Sequence, residues 1–139
     1  MKYTSEYIAE FREACDRLHL KGSDLIAALS DEQIIADVNG IGSASMPAAL
    51  RRALDSLHPS LVYASHIHDL AWTYRKESTW KYFRESNADF ETNGIIIAKD
   101  RYAWWDPRRW LAIRSAKNLR AILDQWGYDN FLKTKTKTV

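Results

Sequence analysis

His68 and Asp69 stand side by side in the stretch Leu61–Tyr74, LVYASHIHDLAWTY. On a helix, which turns about 100° per residue, the two side chains leave on adjacent faces. A neutral imidazole there can move a proton at neutral pH. A carboxylate beside it can hold a metal, and calcium is the usual choice when the other ligands are oxygens. The bland alternative is a solvated or half-buried helix pair with no chemistry, since an HD dipeptide arises often by chance. Two further pieces add context. Gly40 and Gly42 lie upstream in NGIGS, where glycines let backbone carbonyls converge on an ion. Asp89 lies 21 residues after His68. If two helices joined by a short connector fold back antiparallel, Asp89 returns to the level of His68 and orients its ring. Asp69 then supplies the anionic calcium ligand, calcium acts as a Lewis acid, and the Gly40 amide donates to a developing oxyanion.

The elements that must position these groups are helical. Thr4 or Ser5 caps a first helix to Leu20, with Tyr7, Ile8, Phe11, Cys15 and Leu18 at three- and four-residue steps. Leu25–Leu29 is a short apolar helix or turn. Ser30 with Gln33 forms a capping box for a helix from about Asp31 to the Asn39–Ser43 break. Pro47 opens a helix to about Leu57. Pro59 or Ser60 opens the one that carries His68. A further helix spans about Thr79 to Ala98. Tyr102–Trp105 reads as a connector or a short strand. Asp106-Pro107 caps a last long helix to Trp126, and Gly127-Tyr128 ends it. The fold class is all-α, with room for one small hairpin, and the two helices near 60–75 and 79–98 carry the site. Residues 1–132 form one domain; the basic tail 133–139, KTKTKTV, has nothing to bury and is expected to fray.

The chain has 139 residues, enough for one core. No apolar run reaches the length of a membrane span, and Met1–Thr4 does not start a signal peptide. One cysteine, Cys15, excludes an internal disulfide and makes a reducing, cytoplasmic compartment the default. Charge is uneven: residues 1–98 hold 10 Lys+Arg against 14 Asp+Glu, whereas residues 99–139 hold 10 against 4. A basic C-terminal part suits phosphate, in nucleic acid or at an anionic lipid surface, although a solvated helix face explains it as well.

The order NGIGS, HDLAW, SNADF resembles the phospholipase A2 superfamily, and most of all its disulfide-free parvoviral and prophage-type small members. The resemblance covers residues 36–131. It implies that His68 is the general base, that Asp89 orients it, and that Asp69 binds calcium with the backbone carbonyls of Val38, Gly40 and Gly42. It further implies a glycerophospholipid ester as substrate, and so a phospholipid or membrane surface as partner. Trp72 departs from the pattern. It stands where the family has a tyrosine that holds the helix-borne aspartate, and its indole N–H can only donate.

Two other classes compete. An HD-type metallophosphohydrolase would use His66, His68 and Asp69, completed by His19, His58, Asp124 or Asp129. A non-catalytic protein-binding or inhibitor module would use the aromatic surface or the basic C-terminal helix, with His68 and Asp89 as a buried polar pair. Arg108, Arg109, Arg114, Lys117 and Arg120 could face nucleic acid, but they do not form one stripe, so nucleic acid is the weakest partner. Tyr102-Ala103-Trp104-Trp105 suits a lipid–water interface.

Overall fold

The computed structural model describes residues 3–38 and 48–139, apart from the side chain of Ala49. Eight α-helices and one 3-10 turn make up the regular structure of the described residues, with no strand among them. The all-α expectation holds. The Tyr102–Trp105 segment is a connector rather than half of a hairpin.

Helix α1 spans Ser5–Arg17, capped by Thr4, whose Oγ1 accepts from the Tyr7 amide at 3.1 Å. Its inner face buries Ile8, Phe11, Ala14 and Cys15. Cys15 is 1% exposed, and burial pushes its thiol up to about 12. Gly22, at φ 94, turns the chain into α2, Ser23–Ala28. Helix α3, Asp31–Val38, opens on the expected capping box: Gln33 N donates to Ser30 Oγ at 3.2 Å and Ser30 N to Gln33 Oε1 at 2.9 Å. Arg12 binds these three helices together. Its guanidinium donates to the Ile26 and Leu29 carbonyls, both at 2.7 Å, and pairs with Asp31 at 2.9 Å. The orphan carbonyls at the end of α2 are satisfied that way.

Helix α4 spans Ala48–Asp55. A 3-10 turn, Pro59–Leu61, leads into α5, Val62–Thr73. Helix α6, Trp80–Arg101, is capped by Thr79; α7, Pro107–Trp126, is capped by Asp106. Helix α8, Tyr128–Lys133, follows directly. It was not expected, because Gly127 reads as a stop. Instead the chain turns once there and buries Phe131 against Trp72 and Phe83, at 5.3 and 5.5 Å between ring centres.

The side-chain register fixes the packing. Between α5 and α6, Trp72 meets Ser86 and His68 meets Phe90, so the two run antiparallel. Between α6 and α7, Asn87 meets Asp124 and Glu91 meets Arg120, again antiparallel. Gly94 makes that second approach possible. A Cβ there would lie 2.9 Å from the Ala116 Cβ and 3.3 Å from Leu61 Cδ2. The tail is tied down rather than frayed at Lys137: its amide donates to Thr73 O at 2.8 Å, and its ammonium pairs with Asp37.

Candidate functional site

His68 lies on the face of α5 that packs against α6. Its ring sits 4.6 Å from the Trp72 ring and 5.8 Å from Phe90, and the residue is only 8% exposed. Burial lowers its pKa to about 4, against a small upward push from its hydrogen bond. The imidazole is therefore neutral at physiological pH, with a proton on one nitrogen only.

Which nitrogen carries the proton follows from its neighbours. His68 Nε2 is 2.8 Å from Asn87 Oδ1, and Asn87 Nδ2 donates to Asp124 Oδ1 at 2.9 Å. The carboxylate of Asp124 can only accept, so it fixes the amide with Oδ1 toward the ring. Nε2 must then be the donor, and Nδ1 is left as the basic nitrogen. Asp124 is itself held by Arg84 at 3.3 Å and Arg120 at 3.4 Å. A chain of polar contacts thus runs from α7 through α6 to the ring on α5.

The residue expected to orient the ring, Asp89, is not the partner of His68 Nε2. Phe83, Asn87, Phe90, Gly94 and Ile97 are all buried along one side of α6. Asp89 falls about 100° from Phe90, on a flank of that stripe. Its carboxyl is half-buried and pushed upward by burial, with Lys21 pulling it back down. The same flank carries Asn93, which binds the backbone of Lys21. The residue hydrogen-bonded to His68 Nε2 is Asn87, itself bonded to Asp124. Trp72 does not hold an aspartate either: its Nε1–H donates to Ser86 Oγ at 2.9 Å.

Asp69 is the second member of the pair. Its Oδ2 is buried and has no hydrogen-bond partner among the described residues, and burial raises its carboxyl well above the usual range. An orphaned buried carboxylate oxygen is what a hard cation would satisfy. Val38, another expected ligand through its carbonyl, is the buried last residue of α3. That helix ends against α5, where Asp37 Oδ2 accepts from the Tyr74 hydroxyl at 2.7 Å. Gly40 and Gly42, expected to complete the calcium loop and donate to an oxyanion, lie outside the described residues. No group of three or more His, Cys, Asp or Glu able to hold a metal occurs among the described residues.

The HD-type metal site finds no support in this geometry. His66 leaves α5 about 160° from His68. Its Nε2 is 2.8 Å from the Tyr7 hydroxyl on α1, inside a cage of Tyr3, Tyr7, Phe11 and Tyr63. Burial holds it, too, at about 4. His58 caps the 3-10 turn and bonds Ser60 Oγ at 2.8 Å. A groove of about 410 Å³ between α4 and α7, lined by Ala53, Leu111, Arg114 and Ile122 among others, includes neither His68 nor Asp69.

No family model matches the chain, and comparisons with curated proteins and with solved structures return no match. Among the described residues no helix is long and apolar enough to cross a membrane.

Proposed function

We propose that the protein is a calcium-dependent hydrolase of phospholipid esters, with His68 as the general base. The reading is supported above all by the oriented ring. The Asp124–Asn87 pair fixes the Nε2–H tautomer and leaves Nδ1 to take a proton from water, the task a third residue serves in a catalytic triad. An asparagine whose own amide is fixed holds the ring in one tautomer, as in Cys-His-Asn sites, but adds no negative charge to stabilise the imidazolium. A pKa of about 4 keeps the ring unprotonated at physiological pH, and it also makes the ring a weak base unless substrate or cation changes its surroundings. Asp69, with its orphaned Oδ2, would hold the cation, joined by the Val38 carbonyl and the Gly40 and Gly42 carbonyls. Bound there, calcium would supply a Lewis acid for the ester carbonyl. Asp69 leaves α5 on the face next to His68, so cation and base would serve one substrate.

The test is release of fatty acid from mixed phospholipid vesicles by the purified protein, with calcium or with chelator, beside His68→Ala. Release that needs both calcium and His68 establishes the reading. Equal background in all samples overturns it.

One observation favours a second reading. His68 is almost fully enclosed by Trp72 and Phe90. The polar chain through Asn87 and Asp124 would then tie three helices in a non-catalytic binding module. In that case Asn87→Ala lowers stability, and no lipid is hydrolysed under any condition.

A further inference from the structure

The corner between α6 and α7 exposes an unusual amount of apolar surface. Trp104 is 73% exposed, Trp105 68%, Trp110 54% and Leu111 56%. Two of them are tied to one another, and Leu111 borders the groove between α4 and α7. Trp110 Nε1–H donates to Trp104 O at 2.9 Å, and the Arg109 guanidinium lies over the Trp110 ring at 5.4 Å. Three exposed indoles at one helix–helix corner form a patch of the kind that soluble surfaces usually cover.

The charges around the patch decide what covers it. Arg101, Arg109 and Arg114 have no ion pair among the described residues, whereas Asp106 is committed to Arg108 at 2.7 Å and Asp100 to Arg17 at 3.0 Å. Positive potential reaches inward as well: burial first, then Arg101 and Arg108, push the His58 imidazole down. The indole corner thus has Arg109 against it, and Arg101 and Arg114 close by in sequence, without an ion pair among the described residues.

We propose that this corner docks onto an anionic lipid–water interface, with Trp104 and Trp105 entering the headgroup layer and Arg101, Arg109 and Arg114 meeting lipid phosphates. Indole is apolar in body and polar at its N–H, which suits that layer. Surface arginines draw the tip to anionic lipid by about 1 kcal/mol each, or about fivefold. Single-stranded nucleic acid would use the same chemical groups, but it needs a row of cations that follows its backbone. That row is broken here, since Arg108 is taken by Asp106 and Arg120 by Glu91 and Asp124. The inference goes beyond the hydrolase reading and stands on different residues, so a His68→Ala chain should dock unchanged.

The experiment is co-sedimentation of the full chain with vesicles of phosphatidylcholine alone, or mixed with phosphatidylglycerol, in rising salt. The expected result is binding to the mixed vesicles that weakens with salt. The double variant Trp104→Ala/Trp105→Ala should lose it about tenfold or more, and Arg101→Ala about fivefold on mixed vesicles only. Because all three side chains are exposed, the variants should keep the helical circular dichroism of the parent, and that is checked alongside. No sedimentation with mixed vesicles overturns the proposal. So does equal binding to both vesicle types, or release of bound protein by a single-stranded oligonucleotide at low salt. Hydrolysis of a short-chain monomeric ester without vesicle binding would retain the hydrolase reading and reject the docking surface.

Discussion

Asn93 grips Lys21 by both backbone atoms: Oδ1 accepts from the Lys21 amide at 2.7 Å, and Nδ2 donates to the Lys21 carbonyl at 2.9 Å. The asparagine is fully buried, so the turn after α1 is joined to the middle of α6 by a satisfied polar contact. Replacing Asn93 with Ala leaves two backbone groups without partners. The expected loss is about 2–3 kcal/mol, read as a lower urea midpoint at unchanged slope. A midpoint within error of the parent would show that water replaces the side chain freely.

Asp89 sits one turn before Asn93 on the same flank, and this gives a direct contrast with Asn87. Asp89→Asn should leave the His68 ring shifts in heteronuclear NMR where they are. Asn87→Ala should move them and weaken the preference for the Nε2–H tautomer. If the Asp89 variant moves the ring and the Asn87 variant does not, the orienting chain has been assigned to the wrong residue.

Stability should depend on pH in two opposed ways. His66 and His68 titrate near 4 in the fold and near 6.5 when unfolded, so between those values the unfolded chain binds more protons. Their contribution is complete above about pH 6.5 and is lost as pH falls toward 4, by up to about 3 kcal/mol each. Asp69 behaves oppositely. Its carboxyl is raised in the fold, so stability drops as pH rises above the ordinary carboxyl value. Denaturation from pH 4 to 8 in chelator should show Asp69→Asn gaining on the parent toward pH 8. A parent as stable as the variant at pH 8 contradicts this sign.

If Asp69 holds calcium as proposed, the same carboxyl would link calcium to protons. A cation at Asp69 must displace the proton that burial retains, so affinity should rise with pH, up to about tenfold per unit. Calorimetry in two buffers of different ionisation enthalpy measures the proton released. Uptake of calcium with no proton release would place the ion elsewhere.

Gly94→Ala tests the approach of α6 to α7. Alanine favours a helix by about 1 kcal/mol, but its methyl would press on Ala116, which cannot rotate away. Overpacking of this kind costs about 1–3 kcal/mol, so the variant should unfold at lower temperature. A raised midpoint would show that the helices part easily.

Much of this was legible from residue types alone. The Ser30–Gln33 box, the Thr4 and Asp106 caps and the antiparallel return of α6 on α5 all follow from local chemistry and connector length. The hydrogen-bond partner of His68 was only half legible: spacing from His68 brings Asn87 and Asp89 to nearly the same height, and only the buried stripe through Phe83, Phe90 and Ile97 separates them. Asn87 falls on that stripe and Asp89 off it. Asp124 could not be reached this way, because it depends on how α7 packs over α6. Helix α8 was hidden by Gly127, which reads equally as a stop or a pivot. The hold on Lys137 comes from Thr73 and Asp37, more than sixty residues away, so no local pattern announces it.

Cys15, the only thiol in the chain, lies in the face that α1 turns to the core. A thiol reagent in solution can reach it only when that face opens. The single cysteine therefore makes the native protein its own stopwatch. At low reagent the labelling rate reports how often the open form is populated, and at saturating reagent it levels off at the rate of opening itself.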